Sequence, residues 1–170
     1  MTGVLPLCPF PPLHWWAIAQ QGAPIDSGAT YQKQSLQNRM VIAGPQGRQL
    51  ITFPVRRSEA GLPLFLSDHH SPMQAWRSLK TAYGGSPFFE FFEDELHALW
   101  MDYLPKKGEQ TKSLQAWCAA SIQWVCTTCG WTVPPSPDSA PQMGAVAHDL
   151  RYKKALRGDG WAFQRYTQVF

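Results

Sequence analysis

The sequence predicts an α/β fold, with a small mixed sheet that includes a β-hairpin and packs against three to four helices. Three observations carry this expectation. Two apolar, β-branched runs, Met40-Val41-Ile42-Ala43 and Gln49-Leu50-Ile51-Thr52-Phe53-Pro54-Val55, flank Gly44-Pro45-Gln46-Gly47, a turn of hairpin length. Apolar residues recur at helical spacing in three later segments, each opening on a serine. Finally, 170 residues with 44% apolar and 16% charged side chains are enough to bury the core of one domain.

The elements follow in order. Val4 to Cys8 is a short apolar run and reads as the first strand. Pro9-Phe10-Pro11-Pro12 breaks it. Proline suits a first helical turn because its missing N–H would lack a partner there anyway. Leu13 to Ala19 then reads as a helix ending near Gly22. Ala23-Pro24-Ile25-Asp26 is a second short strand, with Asp26 at its carboxyl end, and Ser27 to Thr30 is a turn. After the hairpin, Leu62 to Leu66 reads as another strand.

Ser71-Pro72 opens a helix with Trp76, Leu79 and Tyr83 as its stripe, closed by Gly84-Gly85. Ser86-Pro87 opens the next, with Phe88, Phe89, Phe91, Phe92, Leu96, Leu99 and Trp100 on its apolar side. Its early acidic residues suit the helix dipole. Ser113 caps a third helix that stops near Gly130. Pro134 to Asp138 reads as a linker. The expected organisation is one domain over 1–170, helical from about residue 71, with a loosely attached tail over 134–170. That tail mixes Arg151, Lys153, Lys154, Arg157 and Arg165 with Tyr152, Trp161, Phe163 and Tyr166. It reads as a segment docking back on the domain in preference to an RNA-binding extension.

Function is sought in Tyr31 to Arg39. Eight of these nine residues carry a side-chain hydrogen-bonding group, and no apolar period runs through them. A solvated loop and the wall of a site both explain such a stretch. As a wall, Lys33 and Arg39 would hold phosphate or carboxylate oxygens, Arg as a planar fork and Lys as a point charge. Ser35, Asn38 and the glutamines would read hydroxyls and amides. Tyr31 and Trp15 would stack on a ring, and Pro11 lies where the strand turns into the helix. The titratable candidates are Asp26, His14 and Lys33. His14 in the first helical turn serves equally as a cap or a packed side chain.

Several classes are disfavoured. Net charge is only +3 and no Lys/Arg run exceeds two, so nucleic acid is not the expected partner. The opening has neither a basic region nor a continuous apolar run, and no stretch approaches a bilayer span, so the expected location is the cytoplasm. Cys126 and Cys129 form a C-x-x-C pair, but Cys8 and Cys118 do not supply a second pair at zinc spacing. Reduced thiols, no metal and no cofactor are expected.

Five blocks come in order along the chain: Leu5-Pro6 through Pro9-Phe10-Pro11-Pro12-Leu13-His14-Trp15-Trp16; Tyr31 to Arg39 with Ile42-Ala43-Gly44 and Gly47; Phe53-Pro54-Val55; Trp76-Arg77-Ser78-Leu79 with Ala82-Tyr83, Ser86 to Glu90 and Glu93-Asp94; and Tyr166 to Phe170. Taken together, these blocks resemble the WbqC-like protein family of bacteria. The resemblance covers residues 4 to 131 well and the tail loosely. It departs in three places: the Gln or His common before the prolines is absent, Ala75 stands where His often precedes Trp76, and members often continue beyond Phe170. The resemblance implies a transferase that modifies an amino sugar or nucleotide-linked sugar in surface-polysaccharide (O-antigen) synthesis, by glycyl or aminoacyl transfer. A non-catalytic ligand-binding or assembly subunit of that pathway is the alternative. The implied partner is a small molecule, a nucleotide sugar. No catalytic role is carried over from the family to any residue.

Overall fold

The computed structural model describes residues 4–28, 31, 34–44, 47–56, 65–67, 72–106 and 112–136. β1 (Leu5–Pro6) and β2 (Ile25–Asp26) run parallel, Leu5 opposite Ile25 and Pro6 opposite Asp26. A parallel pair needs a crossover, and α1 (Leu13–Ala19) supplies it. A single 3-10 turn at Leu36–Asn38 feeds β3 (Arg39–Gly44). β3 pairs antiparallel with β4 (Gly47–Thr52), from Arg39 opposite Thr52 to Gly44 opposite Gly47. β5 (Val55–Arg56) and β6 (Phe65–Leu66) form a third, antiparallel pair. Helices α2 (Pro72–Tyr83), α3 (Phe89–Tyr103) and α4 (Leu114–Cys129) complete the order. The described strands pair as three two-stranded ladders, one parallel and two antiparallel, beside four helices. This is the α/β class with a hairpin that the sequence predicts.

Local chemistry sets the helix ends. Ser113 Oγ accepts the Ala116 N–H at 3.3 Å, a standard N-cap. Gly130 sits in the left-handed region at φ +67°, and beyond it Trp131 N donates to Cys126 O at 2.8 Å. Cys126 O also accepts the Gly130 N–H, so this one carbonyl takes both donors that close the helix.

The core gathers on three fully buried tryptophans, Trp15, Trp100 and Trp117. The Trp100 and Trp117 rings meet edge to face at 5.1 Å, and both Phe10 and Phe53 pack against the two of them. Edge-to-face contacts suit the ring quadrupoles. The cluster locks the N-terminal segment, the end of the hairpin, α3 and α4 together. Phe10 occupies a positive φ of 43°, which is unfavourable for a bulky side chain. Its N–H donates to buried Ser121 Oγ at 3.0 Å, and its ring fills the centre of the cluster, which holds that conformation in place.

Four sequence expectations change. Phe88 and Phe91 are not on the apolar side of α3: they are 61% and 77% exposed, whereas Phe89, Leu96 and Trp100 are buried. The helix begins at Phe89, because Ser86 to Phe88 form a turn in which Phe89 N donates to Ser86 O at 3.1 Å. Phe88 therefore lies ahead of the helix, and Phe91, about 200° round the helix from buried Phe89, faces outward. β4 stops at Thr52, and Val55 starts a separate pairing with Leu66. Pro134 and Pro135 are not free linker: Pro134 is buried, and Pro135 O accepts the Ile25 N–H at 2.8 Å, adding an acceptor to the open side of β2. The expected cap Ser71, Leu62 to Leu64 within the predicted strand and the tail beyond 136 lie outside the described residues.

Candidate functional site

The polar stretch ends where the 3-10 turn passes into β3. Ser35 is buried and caps that turn, its Oγ accepting Gln37 N at 3.2 Å and donating to Gln37 Oε1 at 3.1 Å. The turn rests on α4 through Cys118 Sγ, 3.7 Å from Gln37 O. One helical turn earlier, Gln115 Nε2 donates to Ser27 O at 2.6 Å. Positions 115 and 118 lie on the same face of α4. The first turns of α4 therefore bring the Asp26–Gly28 loop and the 3-10 turn beside one another.

Asn38 is 5% exposed. Its Nδ2 donates to Phe53 O at 2.9 Å, and Phe53 N donates back to Asn38 O at 2.8 Å. Its Oδ1 is buried without a partner, as is Nε of the next residue, Arg39. Asn38 Oδ1 and Arg39 Nε, on successive residues, are thus both buried and unpaired, while the Arg39 side chain as a whole is half-buried. Each such group costs about 1–3 kcal/mol, and native folds rarely leave them unexplained.

Beside this junction lies a cleft of about 260 Å³ between the end of β4, β6, the first turns of α2 and the end of α3. Its floor is apolar, with Ile51, Phe53, Leu66 and Leu104, and its polar groups are neutral: Thr52, Ser67, Gln74 and Ser78. Among the described lining residues none carries a charge. The junction adjoins the cleft through two pairings. Arg39 stands opposite Thr52 in the ladder, so their side chains share a face, and Asn38 holds the Phe53 carbonyl. Asn38 and Arg39 flank the cleft wall without lining it.

The other candidates are placed as follows. Trp15 is fully buried and its indole donates to Pro6 O at 3.0 Å, so its ring belongs to the core. Pro11 is buried just ahead of α1. His14 is half-buried on α1 and has a partner. The N–H groups of Trp15 and Trp16 both donate to Pro12 O, which leaves fewer free donors at the start of α1 than a phosphate-binding helix offers. Asp26 is partly exposed, and its Oδ1 accepts Gly28 N at 2.9 Å. Tyr31 is half-buried; Lys33 lies outside the described residues. The cleft residues Thr52, Ser67, Gln74 and Ser78 went unnoticed in the sequence. Gln74 and Ser78 lie one turn apart on α2, and that spacing was the available signal.

Burial raises the Cys8 thiol well above its ordinary value, and Cys118 likewise, with neighbouring Cys8 adding to the second shift. Tyr83 is raised by burial, partly offset by the Ala43 N–H that its hydroxyl accepts at 2.9 Å. No group of three His, Cys, Asp or Glu side chains able to hold a metal occurs among the described residues. No helix among them is long and apolar enough to cross a membrane.

Neither a curated protein nor a solved structure matches the chain. The profile of the WbqC-like protein family matches residues 25–155, a span that contains the polar stretch, the hairpin, the cleft and helices α2 to α4. The chain belongs to the WbqC-like protein family.

Proposed function

We propose that the protein is a transferase that modifies an amino sugar or nucleotide-linked sugar in bacterial surface-polysaccharide synthesis, transferring a glycyl or other aminoacyl group. The observation that carries this reading is the junction at Asn38 and Arg39, with a buried unpaired acceptor and a buried unpaired cationic donor beside a neutral cleft. A phosphate next to Arg39 answers the donor, and an uncharged, hydroxyl-rich ring suits a cleft with an apolar floor and neutral polar walls. A nucleotide-linked sugar carries both parts. Tyr31 and Lys33 belong to the same polar stretch of the sequence. In aminoacyl transfer from an activated donor the sugar amine attacks the acyl carbon, the amide C–N bond forms as the bond from that carbon to the donor's leaving group breaks, and the amine proton passes through a base to the departing group. Asp26, His14 and Lys33 are the candidates for that base.

The alternative is a non-catalytic ligand-binding or assembly subunit of the same pathway. One observation favours it: the Asp26 carboxylate is engaged in its own turn and does not line the cleft.

The two readings part in a single assay. Purified protein is incubated with nucleotide-linked amino sugars and an activated aminoacyl donor, and the products are read by mass spectrometry. An aminoacylated sugar is expected. Its rate should fall by about 10²–10⁴ in Asp26→Asn, His14→Gln or Lys33→Met, whichever removes the base. Ligand binding without product establishes the non-catalytic alternative instead.

A further inference from the structure

The outward face of α3 combines two features that rarely stay uncovered together. Phe88 and Phe91 stand three residues apart and are 61% and 77% exposed. At helical spacing they share that face with Asp94, Glu95 and Asp102, all exposed. Among the described residues none of these three carboxylates forms an ion pair; the nearby Glu93 pairs with Lys80. The face therefore presents two phenyl rings rimmed by three negative charges. Its complement is a segment with both aromatic rings and cations.

The chain contains such a segment. Residues 148–166 hold Arg151, Lys153, Lys154, Arg157 and Arg165 against only Asp149 and Asp159, together with Tyr152, Trp161, Phe163 and Tyr166. They lie outside the described residues. The connection starts from a fixed point, because Pro135 O is held by the Ile25 N–H. From Ser136 to Arg151 is 15 residues. At ~3.3 Å per residue they reach ~50 Å, more than the ~30 Å breadth of a small domain. The family match runs to residue 155, so Arg151 to Lys154 fall inside the family's own span.

We propose that residues 148–166 of the same chain dock on the outer face of α3. Their aromatic rings cover Phe88 and Phe91, and their cations face Asp94, Glu95 and Asp102. Ring burial supplies most of the attraction, since exposed ion pairs contribute little each; the charges set the register and make the contact salt-sensitive.

The test uses the full chain. A zero-length carbodiimide reagent joins lysine amines to carboxylates only where they touch, and peptide mass spectrometry locates the link. Links from Lys153 or Lys154 to Asp94 or Glu95 are expected within one chain, with loss at high salt. In Phe91→Ser, whose exposed position leaves the melting temperature of the domain near that of the wild type, the links should fall several-fold. Hydrogen exchange of residues 151–166 should speed up in that variant. Links found only between differently labelled chains overturn the proposal in favour of a second copy as the occupant. Absence of links to α3, or exchange unchanged by Phe91→Ser, overturns it outright.

Discussion

Asn38 and Phe53 exchange hydrogen bonds at the open end of the hairpin, one through a side chain and one through the backbone. Asn38→Ala leaves the Phe53 carbonyl without its donor, at a cost of about 1–3 kcal/mol. Chemical denaturation should show that loss, and an unchanged midpoint would mean the bond contributes nothing. Arg39 behaves differently. Its buried Nε has no partner, so Arg39→Met should leave stability unchanged or raise it while removing affinity for an anion. The buried thiols and Tyr83 give a pH dependence. Their pKa values are shifted upward by burial, so the unfolded chain releases these protons first as pH rises. Their contribution is fully present below the ordinary cysteine value of 9.0 and is lost progressively above it. Denaturant midpoints measured from pH 7 to 10.5 should decline beyond about 9, and Cys8→Ala should flatten part of that decline. At this scale the sequence pointed to residues 31–39, because polar density without an apolar period is visible in composition. It could not show that Ser35 and Asn38 spend most of their hydrogen bonds inside the fold. Those partners, Gln37 and Phe53, are fixed by the 3-10 turn and by strand register, and only coordinates reveal them.

The helices and the hairpin were legible because their signals are local. The Gly/Pro turn between β-branched runs gave β3 and β4, and Ser113 with Gly130 gave both ends of α4. α3 was misjudged for a physical reason. Ser86-Pro87 looks like a cap and first turn, yet here it makes a separate turn after Tyr83 that leaves Phe88 ahead of the helix, and Phe91 stands about 200° round the helix from Phe89. Truncation tests which of these rings belongs to the core. Phe89→Ala should cost about 3–5 kcal/mol and Phe91→Ala well under half of that, read from thermal melts. Equal costs for the two would restore the expectation that both rings lie on the apolar side. The end of α2 offers a second test at this scale. A Cβ placed on Gly84 would stand 2.6 Å from the Lys80 carbonyl oxygen, a backbone atom that cannot swing away. Gly84→Ala should therefore destabilise the turn that sets the α2–α3 angle, with a lower melting temperature as the readout.

For the molecule as a whole, one aromatic cluster holds together segments that are distant in sequence. Phe10, Phe53, Trp100 and Trp117 come from four different parts of the chain. That convergence explains why the aromatic richness was legible as core but the cleft was not. The cleft arises where β4, β6, α2 and the end of α3 stop short of one another, and no local pattern encodes a gap between four elements. The account's central claim is that the Asn38–Arg39 junction and the adjoining cleft bind one ligand with an anionic and a neutral part. Calorimetric titration of the wild type and of Arg39→Ala with a panel of nucleotide sugars tests it most directly. The account predicts binding by the wild type that weakens with added salt, and at least ~10-fold weaker binding by a folded Arg39→Ala, the loss of about 1.4 kcal/mol expected for a charge-assisted contact. Equal affinities for the two proteins, or no binding of any nucleotide sugar by the folded wild type, would contradict it.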